Sequence, residues 1–338
     1  MRILYHCSSY ISHSTAGAEY IACLASLGHE VLNGIEHADE ADCVILHEEP
    51  TLYADLYARW PVLRSKRVVA FCVWENELLT PFFREPLELV DAIWTPSRFS
   101  AASMLPFFTN VAVLPHVVRR RRFSREDAAW ARERLADEPG VYRFFSVVDA
   151  VNPRKNVEGL LTAFQDANRR LGGKARLVLK QYRLNFDFSG LPGVVSIGEE
   201  LMEGRMGALY ALCDAYVSAH HAEGWGLGLS EAMAYGKPVI ATAYSGNMDF
   251  MDESNSFPVP YVMAPVSELM CGRIALFTRE MRWAEPDLGA MADAMARAAR
   301  GKIPAGLVER AAAITRRFGP EAIALRLAEL LDRKGEGA

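Results

Sequence analysis

Between Ser218 and Met233 the chain reads Ser-Ala-His-His-Ala-Glu-Gly-Trp-Gly-Leu-Gly-Leu-Ser-Glu-Ala-Met, so Glu223 and Glu231 stand eight positions apart with three glycines between them. An ionised carboxylate in a crevice grips vicinal hydroxyls well, because each oxygen accepts hydrogen bonds worth about 1.5–3 kcal/mol. Glycines let backbone N–H groups approach a ligand closely, and a helix that begins there adds its positive end. A polyhydroxylated ligand suits such a segment. The plain alternative is that both glutamates cap helices and face water. A second feature is Asn152-Pro153-Arg154-Lys155-Asn156, which sets two cations just before a helix. Cations there oppose the helix macrodipole unless an anion stands with them, and a bound phosphate would resolve the conflict. A third is Thr242-Ala243-Tyr244-Ser245-Gly246-Asn247, whose small residues can offer N–H groups to the same anion. For both loops a plain surface turn is the competing reading.

These segments need a scaffold that brings them to one edge, and the hydrophobic pattern supplies it. Short apolar and β-branched runs alternate with longer helical patterns from end to end, the arrangement of parallel sheets with helices on both faces. The first part predicts strands over residues 2–6, 43–46, 67–72, 92–95 and 111–114. The run Arg119-Arg120-Arg121-Arg122, a polar helix and the breaker Pro139-Gly140 then look like a domain junction. In the second part, strands are predicted over 143–148, 175–180, 194–197, 215–218 and 239–242. Asn156 caps one helix, and Gly224-Trp225-Gly226 opens another that Gly236 ends as a left-handed cap. Helical stripes recur over 287–300 and 321–331, and the glycine-rich tail 335–338 reads as frayed.

Composition narrows the classes. With 338 residues, 51% apolar and 23% charged, the chain has material for two domains with real cores, and disorder is excluded as its general state. A net charge of −5 provides no basic field for nucleic acid, so an anionic ligand has to be held by local charges. The six cysteines form no C-x-x-C pair, which indicates neither zinc nor a disulfide framework. No phosphate loop, G-x-G-x-x-G, H-E-x-x-H or D-x-D occurs, so a P-loop NTPase, a common dinucleotide-dependent dehydrogenase and a metal site find no support. Gly228-Leu229-Ser230 resembles a nucleophile elbow, but twelve residues separate Ser230 from the preceding strand end at Ser218. The absence of an apolar run of about 18–20 residues and of a signal-like N-terminus points to a cytoplasmic protein.

Taken together, the Arg-Lys-Asn turn at 154–156, the Glu223-Gly224-Trp225-Gly226-Leu227 to Glu231-Ala232-Met233 block, Gly236-Lys237-Pro238-Val239, Ser245-Gly246-Asn247 and Trp283-Ala284-Glu285-Pro286 resemble glycosyltransferase family 4. These are retaining, sugar-nucleotide-dependent enzymes, "glycosyl transferases group 1". The resemblance covers about residues 143–286. It implies an α/β GT-B fold: two Rossmann-like domains whose parallel sheets face across a cleft. The expected division is residues 1–122 for an acceptor domain, 123–318 for a donor domain, and 319–338 for a C-terminal helix packing back on the first. Carried over by position, Glu223 contacts the donor sugar and stabilises charge, and Trp225, Gly226 and Leu227 offer N–H groups. Glu231 binds the ribose. Lys155 with Arg154 holds the diphosphate, helped by Gly246 and Asn247, with His220 close to diphosphate or sugar. No metal or other cofactor is implied.

Two positions depart from the family pattern. Val148-Asp149 stands where Gly-Arg is common, which leaves Arg154 as the substitute for the diphosphate arginine. After the strand at 67–72 comes Val73-Trp74-Glu75 where a histidine is frequent, and Glu75 is the group expected to orient the acceptor hydroxyl. His221 reads as incidental. Arg119–Arg122, and Trp60 with Arg64, Lys66 and Arg67, read as solvated surface, with contact to anionic lipid on the inner membrane face as the alternative. The resulting expectation is transfer of a hexose from GDP-mannose or a UDP-sugar to a hydroxyl of a glycan or lipid-linked acceptor, with no nucleic-acid partner. The competing expectation is a nucleotide-sugar-binding partner protein without catalysis.

Overall fold

Val44, Ile45 and Leu46, and likewise Val68, Val69, Ala70 and Phe71, are buried in consecutive runs, as strands covered on both faces must be. The computed structural model describes residues 1–135, 138–188 and 190–332, so the glycine-rich tail lies outside the described residues. It divides into two units: Met1–Val117 with Leu276–Met281 and Arg316–Ala338, and Val118–Ala275 with Arg282–Thr315. In the first unit, β1 (Arg2–Cys7), β2 (Glu30–Leu32), β3 (Cys43–His47), β4 (Arg67–Phe71), β5 (Ala92–Thr95) and β6 (Val111–Val113) form one parallel sheet in the order β2-β1-β3-β4-β5-β6. The helix Ile11–Ser26 crosses close over β1 at Gly17, where a Cβ would stand 2.9 Å from Cys7 Sγ. The last helix, Pro320–Asp332, packs on Ile11–Ser26, and the Arg67 guanidinium donates to the carbonyls of Leu330 and Leu331 at its end. A cation there complements the helix dipole.

The first boundary falls at Val117/Val118, five residues before the expected one, and the short segment Leu276–Met281 belongs to the first unit. Both differences have a packing cause. Phe277 stacks on Trp74 at 4.9 Å, whereas Arg120 and Arg121 bond to the helix Leu227–Ala234 of the second unit. Lys66 donates to the carbonyls of Asp39 and Ala41, and Arg64 lies over the Tyr57 ring, so Lys66, Arg64 and Arg67 all have partners within this unit.

The second unit has β7 (Tyr142–Val148), β8 (Ala175–Gln181), β9 (Val194–Ile197), β10 (Ala215–Ser218), β11 (Val239–Thr242) and β12 (Phe257–Val259), all parallel, in the order β12-β11-β10-β7-β8-β9. The chain runs outward from β7 in one direction and from β10 in the other. The switch point, where open α/β sheets bind ligands, is therefore at the C-terminal ends of β7 and β10. On one face Phe144, Leu177, Leu179, Val217 and Ile240 pack with residues of the helices Val157–Arg170 and Leu288–Ala299. On the other, Phe145 meets Tyr210 and Tyr216 edge-on. An antiparallel hairpin, β13 (Tyr261–Pro265) with β14 (Arg282–Pro286), completes the unit. The sequence pattern misses β2, β12 and this hairpin. Two of these strands have three residues, and Pro258 within β12 is tolerated because that strand lies at the sheet edge.

At the C-terminal edge of the first sheet, Tyr5, His13, Tyr20, His47, Phe71 and His116 form one ring cluster. The Tyr5 hydroxyl meets His47 Nδ1 at 2.9 Å, and the Tyr20 hydroxyl meets His116 Nδ1 at 2.9 Å. Burial lowers the pKa of His13 to about 4 and of His116 to about 3, and takes His47 well below its ordinary value. Such rings are neutral in the fold and charged first in the unfolded chain, so their contribution is complete above about pH 6.5 and is lost as pH falls toward their folded values. Urea titrations should show stability declining below about pH 6.5 by about 1.4 kcal/mol per pH unit for each such ring. His13→Gln, at a half-buried position, should reduce the slope between pH 6.5 and 5 by about one ring's share, and an unchanged slope would place the proton uptake elsewhere.

Candidate active site

Glu223 follows β10, and Arg154 and Lys155 follow β7, so the strand order alone brings them to the same edge. Glu223 Oε1 accepts from Lys155 Nζ at 2.5 Å and Oε2 from Arg154 Nη1 at 3.2 Å, and the same Nη1 donates to the Ala222 carbonyl at 2.6 Å. The carboxylate side chain is 11% exposed. Burial by itself would raise its pKa, but the attraction of Lys155 and Arg154 outweighs this and brings the carboxyl down to about 2. The anion that the macrodipole conflict called for is thus Glu223 itself, and in this structure Arg154 holds that carboxylate. Neither Glu223 nor Glu231 is a water-facing cap.

The backbone around Glu223 is latched to the loop after β11. Its N–H donates to Ser245 Oγ at 2.7 Å, and its carbonyl accepts from the Gly246 N–H at 2.9 Å. A Cβ on Gly246 would lie 2.1 Å from the Gly224 carbonyl oxygen, so only glycine permits this approach. The Gly246 N–H is therefore taken within the protein, contrary to its expected use on a ligand. Ser245 has φ 80° and ψ −149°, a region that non-glycine residues enter only under constraint, at about 1–3 kcal/mol. Beside it Asn247 Nδ2 donates to the Thr242 carbonyl, which turns Oδ1 toward His220 Nε2 at 3.2 Å. His220 then carries its proton on Nε2, and Nδ1 accepts from the Ser218 hydroxyl at 3.0 Å. Burial lowers its pKa to about 4. His220 and Asn247 thus brace one another. His221, expected to be incidental, is part of the same scaffold: its N–H donates to the Arg154 carbonyl, its ring meets the Ala284 carbonyl at 2.8 Å, and it stacks on Trp283.

Gly226, at φ 93°, starts the helix Leu227–Ala234 by accepting from Leu229 and Ser230, and the Leu227 and Gly228 N–H groups precede its first possible acceptor. The Trp225 indole is buried with its N–H on Ser230 Oγ, so the ring anchors the loop and Ser230, fully buried, is no exposed nucleophile. Glu231, on the same helix, accepts from Arg121 Nε at 2.9 Å and Nη2 at 2.7 Å. The Arg121 side chain is 15% exposed and also faces Glu203, so within the arginine run Arg121 is built into the fold, whereas Arg120 and Arg122 are exposed as a solvated junction would be. Only its position before a polar helix hinted at this role. Asp149 is fully buried and pairs with Arg183 Nη1 at 3.0 Å, where Arg183 sits at φ 71°. Glu75 lies in the first unit, half-buried on the loop after β4. Among the described residues no group of His, Cys, Asp and Glu has the arrangement of a metal site, and no helix is long and apolar enough to cross a membrane.

Residues 136–257 match the family model described as glycosyl transferases group 1. No curated protein sequence matches the chain. Among solved structures, HepE from Anabaena, in complex with UDP and glucose, is similar at a TM-score of 0.67 with 15% identity, over 98% of this chain and 99% of that one. Sucrose-phosphate synthase from Thermosynechococcus elongatus is similar at a TM-score of 0.71 with 16% identity, over 98% of both chains. The structural likeness shows the fold, which is GT-B, and the family match lies within the second unit, beginning just before β7.

The latch gives a direct test. Gly246→Ala should drive the Gly224 carbonyl away and release Glu223, with a stability loss of about 1–3 kcal/mol in urea titration, in the range of strained or overpacked sites. A loss below about 0.5 kcal/mol would mean that the two loops separate without cost.

Proposed function

We propose that this protein is a glycosyltransferase that moves a hexose from a nucleoside diphosphate sugar, a UDP-sugar or GDP-mannose, to a hydroxyl of a glycan or glycolipid precursor, with retention of the anomeric configuration. The observation that carries the reading is the triad of Glu223, Lys155 and Arg154 at the switch point of the second sheet, with Glu231 eight residues on at the same edge. The solved complexes of HepE with UDP and with UDP-glucose agree with such a donor.

The chemical task is to stabilise a departing diphosphate while positive charge grows on the sugar. Lys155 presents its positive charge to the diphosphate, and the first N–H groups of the helix Leu227–Ala234 add the positive end of its dipole. Arg154 keeps Glu223 ionised beside the sugar, where it positions hydroxyls and offsets the developing positive charge. Glu231, steered by Arg121, accepts from the ribose hydroxyls. No side chain is assigned as nucleophile: the acceptor attacks from the face the diphosphate leaves, and a phosphate oxygen takes its proton. A second reading, nucleotide-sugar binding without turnover, draws on Asp149 standing where the family commonly has an arginine.

Glu231→Ala should weaken a nucleotide sugar and its free nucleoside diphosphate alike, by about 1.5–3 kcal/mol in calorimetry, because the ribose is common to both. Full affinity in that variant would remove Glu231 from the site. Turnover separates the two readings. Assayed for nucleoside diphosphate release across a panel of nucleotide sugars and acceptors, with EDTA present, the wild type should transfer sugar with retained configuration by proton NMR. Lys155→Ala should lose about 10²–10³ in kcat with a smaller loss in donor affinity. Tight donor binding with no turnover in the wild type would favour the silent reading, and an unchanged kcat in Lys155→Ala would move the diphosphate away from Lys155.

A further inference from the structure

One buried cation of the second unit takes no part in this mechanism. Lys180 is the penultimate residue of β8, level with Val147 of β7 and Ile197 of β9. It is 6% exposed. Among the described residues its ammonium has a single hydrogen-bond acceptor, the carbonyl of the adjacent Gln181. Glu199 and Glu200 attract it from the turn after β9 without forming an ion pair, and burial lowers its pKa. A lysine so placed has donors to spare in a setting where a methionine would be more stable, since a buried charge without a carboxylate partner costs several kcal/mol.

Its direction follows from the alternation of the strand. Leu177 and Leu179 pack on the core with Val157–Arg170 and Leu288–Ala299, so Val178 and Lys180 project from the opposite face. That face also carries Phe145 and Tyr216. The Tyr216 hydroxyl accepts from the Val147 N–H and lies against Gly228, in the first turn of the helix that bears Glu231. Lys180 is therefore on the Glu231 side of the sheet, one row nearer the C-terminal edge than Tyr216 and two strands, about 10 Å, across from β10.

We propose that a nucleotide with its diphosphate at Lys155 and its ribose at Glu231 extends its base across the end of β8, where Lys180 reads it by donating to uracil O4 or guanine O6, so that the protein prefers uracil or guanine nucleotides to cytosine or adenine ones. An ammonium donates only. Uracil O4 and guanine O6 are acceptors, whereas cytosine and adenine present an amino group at the corresponding position. This inference rests on the nucleotide-sugar reading above.

Calorimetry of the full chain with UDP, GDP, CDP and ADP tests it, using wild type, Lys180→Met and Lys180→Arg. UDP or GDP should bind the wild type at least about tenfold more tightly than CDP and ADP, as one charge-assisted hydrogen bond allows. Lys180→Met should weaken the preferred nucleotide about tenfold or more while changing CDP and ADP less than about threefold, and its melting temperature should not fall. Lys180→Arg, which keeps a donor, should retain the preference. Equal binding of all four nucleotides by the wild type, unchanged discrimination in Lys180→Met, or a uniform loss for all four would overturn the assignment, the first without any variant having to fold. A wild type that binds none of the four overturns the nucleotide-sugar reading, and this inference with it.

Discussion

A carboxylate as deeply buried as Glu223 survives in a fold only where cations meet it, because the desolvation of an ion in a low-dielectric interior exceeds what ordinary packing returns. Lys155 and Arg154 meet it from the loop after a different strand, and the pairing draws the ends of β7 and β10 together. Much of the local geometry follows from that requirement. The Arg154 carbonyl accepts from His221, the Asn156 side chain reaches back to the Ala219 carbonyl, and the loop after β11 holds the Glu223 backbone from the other side. Three loops that are distant in sequence are thereby held as one rigid edge.

Rigidity at that edge has local costs in conformation. Ser245 and Asn156 both occupy positive φ without being glycine, and Gly246 has no room for a methyl group. Asn156 is compensated: its side chain caps the next helix at Gly159 and donates to Ala219 as well. Ser245 is compensated by taking the Glu223 N–H. Strain of this kind persists where the surroundings over-determine the backbone, and it serves to fix donors and acceptors before a ligand arrives. His220 and Asn247 contribute in the same way, as a neutral buried pair that keeps the strand ends in register.

The two units solve the problem of buried titratable groups differently. In the second, the buried carboxylates are paired with cations: Glu223 with Lys155 and Arg154, Glu231 with Arg121, Asp149 with Arg183. In the first, the ring cluster around His47 is kept neutral, with tyrosine hydroxyls satisfying imidazole nitrogens. Paired charges leave strong fields at a surface, which suits binding of an anion. Neutral rings leave a polarisable, weakly polar one, and make that unit the more sensitive of the two to mild acid.

By itself the sequence determined the two parallel sheets, because strands buried on both faces leave continuous apolar runs between helical stripes, and it singled out two loops that the fold brings together at one sheet edge, because Glu223-Gly224-Trp225-Gly226 and Arg154-Lys155-Asn156 combine residue types that a structural turn does not need. It did not disclose the three-residue strands β2 and β12 or the hairpin, which are too short or too proline-rich to show a period and form only against neighbours already in place. Nor did it disclose who pairs with whom. Arg121 finds Glu231 across 110 positions and Arg183 finds Asp149 across 34, and no local pattern marks either pair. Arg154 looked like a ligand contact and is a partner of Glu223, and Gly246 looked like a donor and is a latch. An ion pair is decided by distance and desolvation in three dimensions, and only the order of the strands in the sheet sets both.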